Sequence, residues 1–224
     1  MRQIRLLALL LLVPLVVSCS SSNSAGLSQG CANAAAACLQ GKAIVEMTTS
    51  KGAITIEVDG DAAPLTAGNF VDLVGRGVYD GTMFHRVVRD PVPFVVQGGD
   101  PTSKDRSTLT SQLGSGSFVD PESGQARMIP LELKFTNEEA PRYSRVVTNP
   151  SELSTLALMH ERGAVAMARS QSPDSASAQF YIALKPLPEL DGRYAVFGRV
   201  TNGLEVVDAI RQGDRITKAV VEQP

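Results

Sequence analysis

The sequence predicts a mainly β protein built as an antiparallel barrel. Roughly eight or nine short strand candidates follow residue 42, whereas only two segments have the pattern of a helix. Because the strands do not alternate with helices, the pattern disfavours a parallel sheet. Closure of antiparallel strands into a barrel removes exposed sheet edges, and a β-sandwich is the alternative that the same strands allow.

The first predicted elements are a hairpin and a helix. Residues 45–49 and 54–58 alternate between apolar and polar side chains around an SKG turn, which is typical of two strands with one buried face. Pro64 is favoured in the first turn of a helix, and apolar residues at helical spacing follow it as far as Gly75.

The other strand candidates are short apolar runs. They are residues 84–88, 94–98, 131–135, 163–168, 179–184, 195–200 and 215–221. A second helix fits residues 203–213, in which Leu204, Val207 and Ile210 share a face. The segment 101–162 is long, polar and rich in turn residues, and such a segment in a compact domain is usually functional or carries small elements of its own.

The N-terminal residues have the features of an export signal. Two arginines precede an apolar run at residues 6–17, but that run is shorter than the about 20 residues of a membrane-spanning helix. Its end, LVVSC, resembles the lipobox of bacterial lipoproteins, which implies cleavage before Cys19 and acyl chains on that cysteine. An ordinary secretory peptide, in which Cys19 is incidental, is the alternative.

The chain therefore divides into three predicted parts. Residues 1–18 are a lipoprotein signal peptide, residues 19–41 are the lipid-anchored cysteine with a flexible tether, and residues 42–224 are one folded domain. We expect an extracytoplasmic protein that is attached to a bacterial membrane only through its N-terminal lipid. In such a compartment Cys31 and Cys38 favour a disulfide, and two free thiols in a short Ala-rich turn are the alternative.

The composition argues against several classes of function. The chain has 21 Lys and Arg against 23 Asp and Glu, so it lacks the basic surface of a nucleic-acid-binding protein. Its two histidines, His85 and His160, are far apart and belong to no metal-binding motif, so we expect no metal. The glycines around Ser115 do not have the spacing of a serine-hydrolase elbow.

Arg86 is the unusual residue of the sequence. It lies in FHRVVRDPVPFVVQGGD, residues 84–100, an otherwise apolar and strand-like run. Alternation on a strand places Phe84, Arg86 and Val88 on one face, with His85 on the other. A charge inside a barrel is costly unless it is paired, so we expect Arg86 on the outer face or in a groove. By periodicity alone, an ordinary solvent-facing arginine is the simpler interpretation.

Several stretches of the chain, from about Ala43 to Val221, occur in the order found in one known family. They are TSKGAITIEV, APLTAGNFVDLV, YDGTMFHRVV, FVVQGGD, RGAVAMA, AQFYIAL and LDGRYAVFGRV. With them the sequence resembles the cyclophilin-type peptidyl-prolyl cis-trans isomerases. The resemblance implies an eight-stranded antiparallel closed β-barrel capped by two α-helices. It also implies an enzyme without a cofactor that accelerates rotation about Xaa-Pro bonds. Together with the N-terminal export signal, this predicts unfolded or folding exported proteins as the substrates.

The resemblance also implies a set of site residues. Arg86 falls on the family's catalytic arginine, with His85 as a supporting neighbour. Tyr181 falls on the aromatic wall of the proline pocket and Leu190 on its floor. The other implied substrate-binding positions are Phe94, Val95, Gln97, Ala168, Arg169, Ser170, Gln179 and Tyr194.

Some positions depart from the family's pattern. Val95 stands in place of a methionine, Arg169 in place of a common asparagine, and Tyr194 in place of a frequent histidine. Glu189 occupies the position of a tryptophan in members that bind cyclosporin well, which predicts weak inhibition by that drug. Together with the long segment 101–162, Val95 and Arg169 keep an alternative open: an extracytoplasmic binding or chaperone lipoprotein on a cyclophilin barrel, with little or no isomerase activity. We expect a monomer in either case.

Overall fold

A computed structural model describes residues 29–32 and 38–222. The predicted signal peptide, Cys19 and most of the predicted tether lie outside the described residues. Within the described part of the chain, no helix has the length and apolar character needed to cross a membrane.

The described residues contain ten strands and several short helices. The strands are β1 (Lys42–Thr49), β2 (Gly52–Asp59), β3 (Arg86–Val88), β4 (Val95–Gly98), β5 (Glu132–Leu133), β6 (Arg142–Tyr143), β7 (Ala164–Met167), β8 (Phe180–Ala183), β9 (Val196–Asn202) and β10 (Ile216–Val221). The α-helical segments are α1 (Gln29–Ala32), α2 (Pro64–Gly75), α3 (Pro150–Leu153) and α4 (Leu204–Ala209). Short 3-10 turns occupy Pro101–Lys104, Thr110–Gln112 and Pro188–Leu190.

Eight strands form one curled antiparallel sheet in the order β10-β1-β2-β9-β7-β8-β4-β3. The prediction of a closed barrel is wrong, because β10 and β3 at the two ends of the sheet are not paired as strands. An isolated bridge between Met83 and Arg215 and a few backbone hydrogen bonds join the chain near this seam. β5 and β6 form a separate two-stranded sheet, so the strand predicted at residues 131–135 lies outside the main one. The helical segments also exceed the two that were predicted.

The hairpin of β1 and β2 follows the predicted alternation. Its strands pair from Lys42 opposite Asp59 to Thr49 opposite Gly52. The inward-facing side chains, among them Met47 and Ile56, are fully buried. This burial explains the period of two in the sequence, since successive side chains of a strand point to opposite faces.

Helix α2 covers the core at one end of the sheet. Pro64 is its first residue, where the missing N–H costs nothing. The helix carries Phe70 into the core, where the ring lies 4.9 Å from the ring of Phe197 and 5.5 Å from that of Phe180. This aromatic cluster holds α2 against the inner face of the sheet.

Strands β4, β7 and β8 carry buried apolar side chains on both faces. On β8, Ile182 belongs to the main core, whereas Tyr181 belongs to a second apolar cluster. Val96 and Val95 divide in the same way on β4. The second cluster is covered only in part by loop residues, Leu190 among them. A groove therefore lies over this part of the sheet.

The segment 101–162 carries small elements and an apolar cluster of its own. Asp100 precedes it and is fully buried. Its carboxylate accepts backbone N–H bonds from Thr102, Gly114 and Gly116. Burial acts to raise the pKa of Asp100, but these hydrogen bonds together hold that pKa below its ordinary value. Asp100 thus fixes the loop at residues 114–116 beside the groove.

A disulfide joins Cys31 and Cys38, with an S–S distance of 1.94 Å. Both cysteines pack against the main core. The chain then enters the domain through a hydrogen bond from the Leu39 N–H to the Pro64 carbonyl at the start of α2. Of the two states that the sequence left open for these cysteines, the structure has the bonded one.

Candidate active site

Arg86 lies on the outer face of β3, at the edge of the groove. Its residue is exposed, and the guanidinium lies 5.9 Å from the centre of the Phe94 ring. The prediction that Phe84 shares this face is wrong, because Phe84 is fully buried in the main core. Phe84 precedes β3, so the strand alternation has not begun there. The expectation that Arg86 itself avoids the core agrees with the structure.

A row of amide side chains runs from Arg86 across the sheet. Gln97 stands opposite Arg86 in the pairing of β3 with β4, and its Oε1 accepts from Arg86 at 3.3 Å. The Gln97 amide then donates to Gln179 at 3.3 Å, and Gln179 donates to the Gly116 carbonyl at 2.9 Å. Because each carbonyl oxygen is used by the preceding donor, the row holds the Arg86 guanidinium over the groove.

Beside Arg86 is an open pocket of about 150 Å³. Its lining combines aromatic and aliphatic walls with two arginines and an amide. The lining residues are Arg86, Phe94, Val95, Gln97, Ala168, Arg169, Tyr181, Leu190 and Tyr194. All of them are positions that the resemblance implied, although they come from two distant stretches of the chain, residues 86–97 and 168–194.

Arg169 lies at the mouth of this pocket. Its guanidinium donates to the backbone carbonyl of Arg193 at 2.9 and 2.6 Å and lies 4.8 Å from the centre of the Tyr194 ring. Within residues 29–32 and 38–222, neither Arg86 nor Arg169 forms an ion pair with a carboxylate. The groove therefore carries two positive charges that no acidic side chain described here neutralises.

A second cavity of about 310 Å³ adjoins the first. Ser170 and Gln179 line it, together with Gln97, Ala168 and Arg169, which the two cavities share. Residues 114–117, Met128, Ser175 and Ser177 complete its wall. The length of the segment 101–162 predicted that the segment as a whole is functional or carries small elements. It did not indicate the individual lining positions, because nothing in their residue types predicts a groove.

His85 lines neither cavity and is buried beneath the loop at residues 114–116. A Cβ atom at Gly114 would lie 3.5 Å from its Nε2. Among the described residues, neither ring nitrogen of His85 has a hydrogen-bond partner. Burial lowers the pKa of His85, and the nearby carboxylate of Asp100 acts against that shift. The ring is thus placed to support the loop and does not reach the pocket beside Arg86.

The chemistry available in the groove is electrostatic. A cationic, planar donor stands beside an apolar slot, and no serine or cysteine lines that slot. The part of the chain that the structure describes contains no group of three or more His, Cys, Asp or Glu residues that could hold a metal ion. Such a site can bind an apolar ring and stabilise a lone pair that forms next to it.

Comparison with known proteins shows the family of the chain. The sequence model described as cyclophilin type peptidyl-prolyl cis-trans isomerase/CLD matches residues 44–224. The chain therefore belongs to the cyclophilin-type peptidyl-prolyl cis-trans isomerase family. The resemblance inferred from the separate motifs is confirmed.

Two relatives illustrate the extent of the similarity. A putative thylakoid lumen peptidyl-prolyl cis-trans isomerase of Synechocystis is 41% identical over 193 residues, which cover 82% of this chain but 48% of the relative. The chain thus spans about half the length of that protein. The peptidyl-prolyl cis-trans isomerase ppi1 of Schizosaccharomyces pombe is 37% identical over 163 residues, with 72% of this chain and 81% of the relative covered.

Solved structures show the same fold. A cyclophilin-type peptidyl-prolyl cis-trans isomerase of Cryptosporidium parvum, crystallised in the presence of the dipeptide Ala-Pro, aligns with a TM-score of 0.58. The alignment covers 81% of this chain and 99% of that one, at 24% identity. At this identity the likeness supports the fold alone.

Proposed function

We propose that the protein accelerates rotation about Xaa-Pro peptide bonds and that Arg86 is its catalytic residue. The observation that carries this proposal is the position of Arg86. Its guanidinium lies beside an apolar slot, donates to Gln97 and contacts the Phe94 ring, and among the described residues it pairs with no carboxylate, which leaves donors for a substrate in the groove.

The reaction explains why such a site needs neither a nucleophile nor a metal. Rotation about a peptide bond costs about 18–20 kcal/mol because amide resonance must be broken. In Xaa-Pro bonds the two isomers are nearly balanced, but they exchange only over tens to hundreds of seconds. A catalyst has to favour the twisted amide over both planar forms.

Arg86 supplies the electrostatic part of that task. When resonance is lost, the proline nitrogen becomes pyramidal and can accept a hydrogen bond. A guanidinium is always charged and presents its donors in a rigid plane, so it stabilises the twisted state more than the planar one. Gln97 accepts from Arg86 and thereby orients it.

The other residues of the groove hold the peptide. Phe94, Tyr181 and Leu190 form the slot for the proline ring. Along the peptide, the backbone contacts fall to Ala168, Arg169 and Ser170. We assign the rest to the rims and supports of the groove, namely His85, Val95, Gln179 and Tyr194.

The location of the protein is also a proposal. The apolar run at residues 6–17, the LVVSC sequence and the disulfide support an exported protein anchored through a lipid on Cys19. The thylakoid lumen named for the Synechocystis relative is likewise a compartment outside the cytoplasm. We infer that unfolded or folding exported proteins supply the proline-containing segments, and that the domain at residues 42–224 acts on them as a monomer.

Exchange NMR on a short Ala-Pro peptide tests this function. The unsubstituted protein should accelerate cis-trans exchange, and the Arg86→Ala variant at equal concentration should lose most of that effect while it remains folded. If neither protein accelerates exchange, the isomerase function fails and a binding or chaperone role takes its place. Cyclosporin should inhibit only weakly, because Glu189, an exposed residue, stands where members that bind this drug well have a tryptophan.

A further inference from the structure

His160 is buried directly behind the apolar slot. From the sequence alone, this residue was considered only as a candidate metal ligand. The residue is 2% exposed and lies near the end of the segment 101–162, shortly before β7. Its Nδ1 lies 2.7 Å from Asp191 Oδ1, and its Nε2 lies 2.8 Å from the hydroxyl of Tyr181. The His160 and Tyr181 rings are nearly parallel, with 12° between their planes.

The partners of the ring decide where its proton sits. A carboxylate can only accept, so Nδ1 of His160 carries the hydrogen and donates it to Asp191. Nε2 is then the acceptor of the Tyr181 hydroxyl. Burial lowers the pKa of His160, although Asp191 and Glu189 act in the opposite direction, and the neutral ring keeps this acceptor. The orientation of the Tyr181 ring is thereby tied to Asp191 through His160.

The backbone of His160 holds the other side of the slot. Its carbonyl accepts from the Leu187 N–H at 2.8 Å, and its N–H donates to the Asp191 carboxylate at 2.9 Å. Leu187 and Asp191 flank the 3-10 turn that carries Leu190. The turn is therefore fastened to His160 at both of its ends.

We propose that His160 is a positioning residue that sets the distance and orientation between Tyr181 and Leu190, the wall and floor of the proline pocket. This proposal rests on the proposed function of the groove. His160 does not touch the substrate and acts through these two residues. The proline ring is rigid, so a small displacement of the Tyr181 wall weakens its binding. The pocket therefore needs a residue such as His160 that holds the wall in place.

Two substitutions at residue 160 separate the contacts of the ring. In His160→Asn the amide nitrogen stands near the place of Nδ1, so the contact with Asp191 is kept and that with Tyr181 is lost. In His160→Gln the amide oxygen reaches toward the place of Nε2 and can accept from Tyr181. In both variants the backbone of residue 160 still holds the turn.

The readouts are the dissociation constant of an Ala-Pro peptide, from NMR titration, and the exchange rate at saturating peptide. His160→Asn should weaken binding about two- to tenfold, the range for one buried hydrogen bond, with a much smaller change in the saturated rate. His160→Gln should restore most of the lost affinity. Arg162→Gln is the matched control on the same loop, because Arg162 forms an exposed ion pair with Asp208 of α4.

Tyr181→Phe completes the test. It should weaken binding by about the same factor as His160→Asn, and the double variant should bind no more weakly than either single variant, since both remove one contact. Equal losses in the Asn and Gln variants, no loss in either, or additive losses in the double variant would overturn the proposal.

These outcomes are distinct from a failure of the proposed function. If the unsubstituted protein binds the peptide without accelerating its exchange, the isomerase function fails, and the binding constants of the variants still decide the role of His160. If the peptide does not bind at all, both proposals fall.

Discussion

Two regions of the molecule place an arginine beside a phenylalanine ring and use it in opposite ways. In the groove, Arg86 is exposed and lies 5.9 Å from the centre of the Phe94 ring. Where the segment 101–162 docks on α2, Arg127 is 4% exposed and lies 4.7 Å from the centre of the Phe118 ring. We call this second region the α2 contact; it comprises Arg127, Phe118, Asp120 and Glu132 against residues 65–72.

The two arginines differ in their partners. Arg127 pairs with Asp72 at 2.6 Å and with Asp120 at 3.5 Å, as a buried charge requires. Among the described residues Arg86 pairs with no carboxylate, and its guanidinium donates to the side-chain carbonyl of Gln97 at 3.3 Å. An arginine whose N–H donors are used by carboxylates contributes to folding. An arginine with unused N–H donors can form hydrogen bonds with a substrate.

The largest effect is expected at Arg86. Lysine keeps the charge but lacks the planar arrangement of donors, so Arg86→Lys should lower kcat/KM for an Ala-Pro peptide about 10²- to 10³-fold. The free energy of unfolding should change by no more than about 0.5 kcal/mol, because the side chain is exposed. Exchange NMR and urea unfolding measure the two quantities. A rate within about threefold of the unsubstituted protein would remove Arg86 from the mechanism.

The reverse pattern is expected at Arg127. Arg127→Leu should reduce the free energy of unfolding by about 1–3 kcal/mol and leave the isomerase rate of the folded protein nearly unchanged. The loss stays below the about 3–5 kcal/mol of a fully buried pair, because Asp72 is partly exposed and keeps Arg76 as a partner. Urea unfolding gives the stability. Unchanged stability would show that the segment 101–162 does not depend on this contact.

Glu132 gives the α2 contact a dependence on pH. Its carboxylate accepts from the N–H groups of Leu65 and Thr66, at 3.1 and 2.7 Å, and from the Tyr143 hydroxyl at 2.7 Å. Burial raises the pKa of Glu132 above its ordinary value of 4.5, although these donors oppose the shift. The folded state then holds its proton to higher pH than the unfolded state, so the contribution of Glu132 is full below pH 4.5 and declines as the pH rises through the raised pKa.

Glu132→Gln tests that sign. The amide NH₂ cannot accept from one of the two N–H groups, so the variant should be less stable by about 1–3 kcal/mol at low pH. Because glutamine does not titrate, the difference from the unsubstituted protein should narrow as the pH rises above 4.5. Urea unfolding at a series of pH values measures it. A difference that widens would mean that the three donors outweigh burial.

The smallest effect is expected at Arg169. Its guanidinium donates to the backbone carbonyls of Arg193, Ser170 and Gln171, but its charge is not neutralised by a described acidic side chain. At low salt the groove should therefore favour an Ala-Pro peptide flanked by Glu over one flanked by Lys, by about two- to fivefold. Arg169→Asn should remove most of this preference, and so should high salt. NMR titration measures the preference. If it persists in the Arg169→Asn variant and at high salt, the charge of Arg169 is not its cause.

The sequence predicted the strands well because their alternation has a physical cause in one-sided burial. It did not predict the open seam, since the irregular chain at residues 82–85 interrupts the ladder before β3. Phe84 was placed on the wrong face for the same reason. The α2 contact was also missed, because Arg127 and Asp72 are 55 residues apart and neither has an unusual local pattern.

The candidate site was likewise predicted only in part. From periodicity alone, Arg86 was an ordinary surface residue. Its grouping with Phe94, Tyr181 and Leu190 was predicted from the family motifs. Those motifs could not indicate His160 as a support, because its contact depends on a hydroxyl at Tyr181 and on a turn 31 residues away.

The most direct test of the difference between the two arginines is one matched substitution in each region. Arg86→Lys and Arg127→Lys would be measured together for Ala-Pro exchange and for urea unfolding. We predict that the first variant loses catalysis and keeps its stability, whereas the second loses stability and keeps the catalytic rate of its folded fraction. If both variants lose catalysis, or if both lose stability, the conclusion that Arg86 serves catalysis and Arg127 serves folding is contradicted.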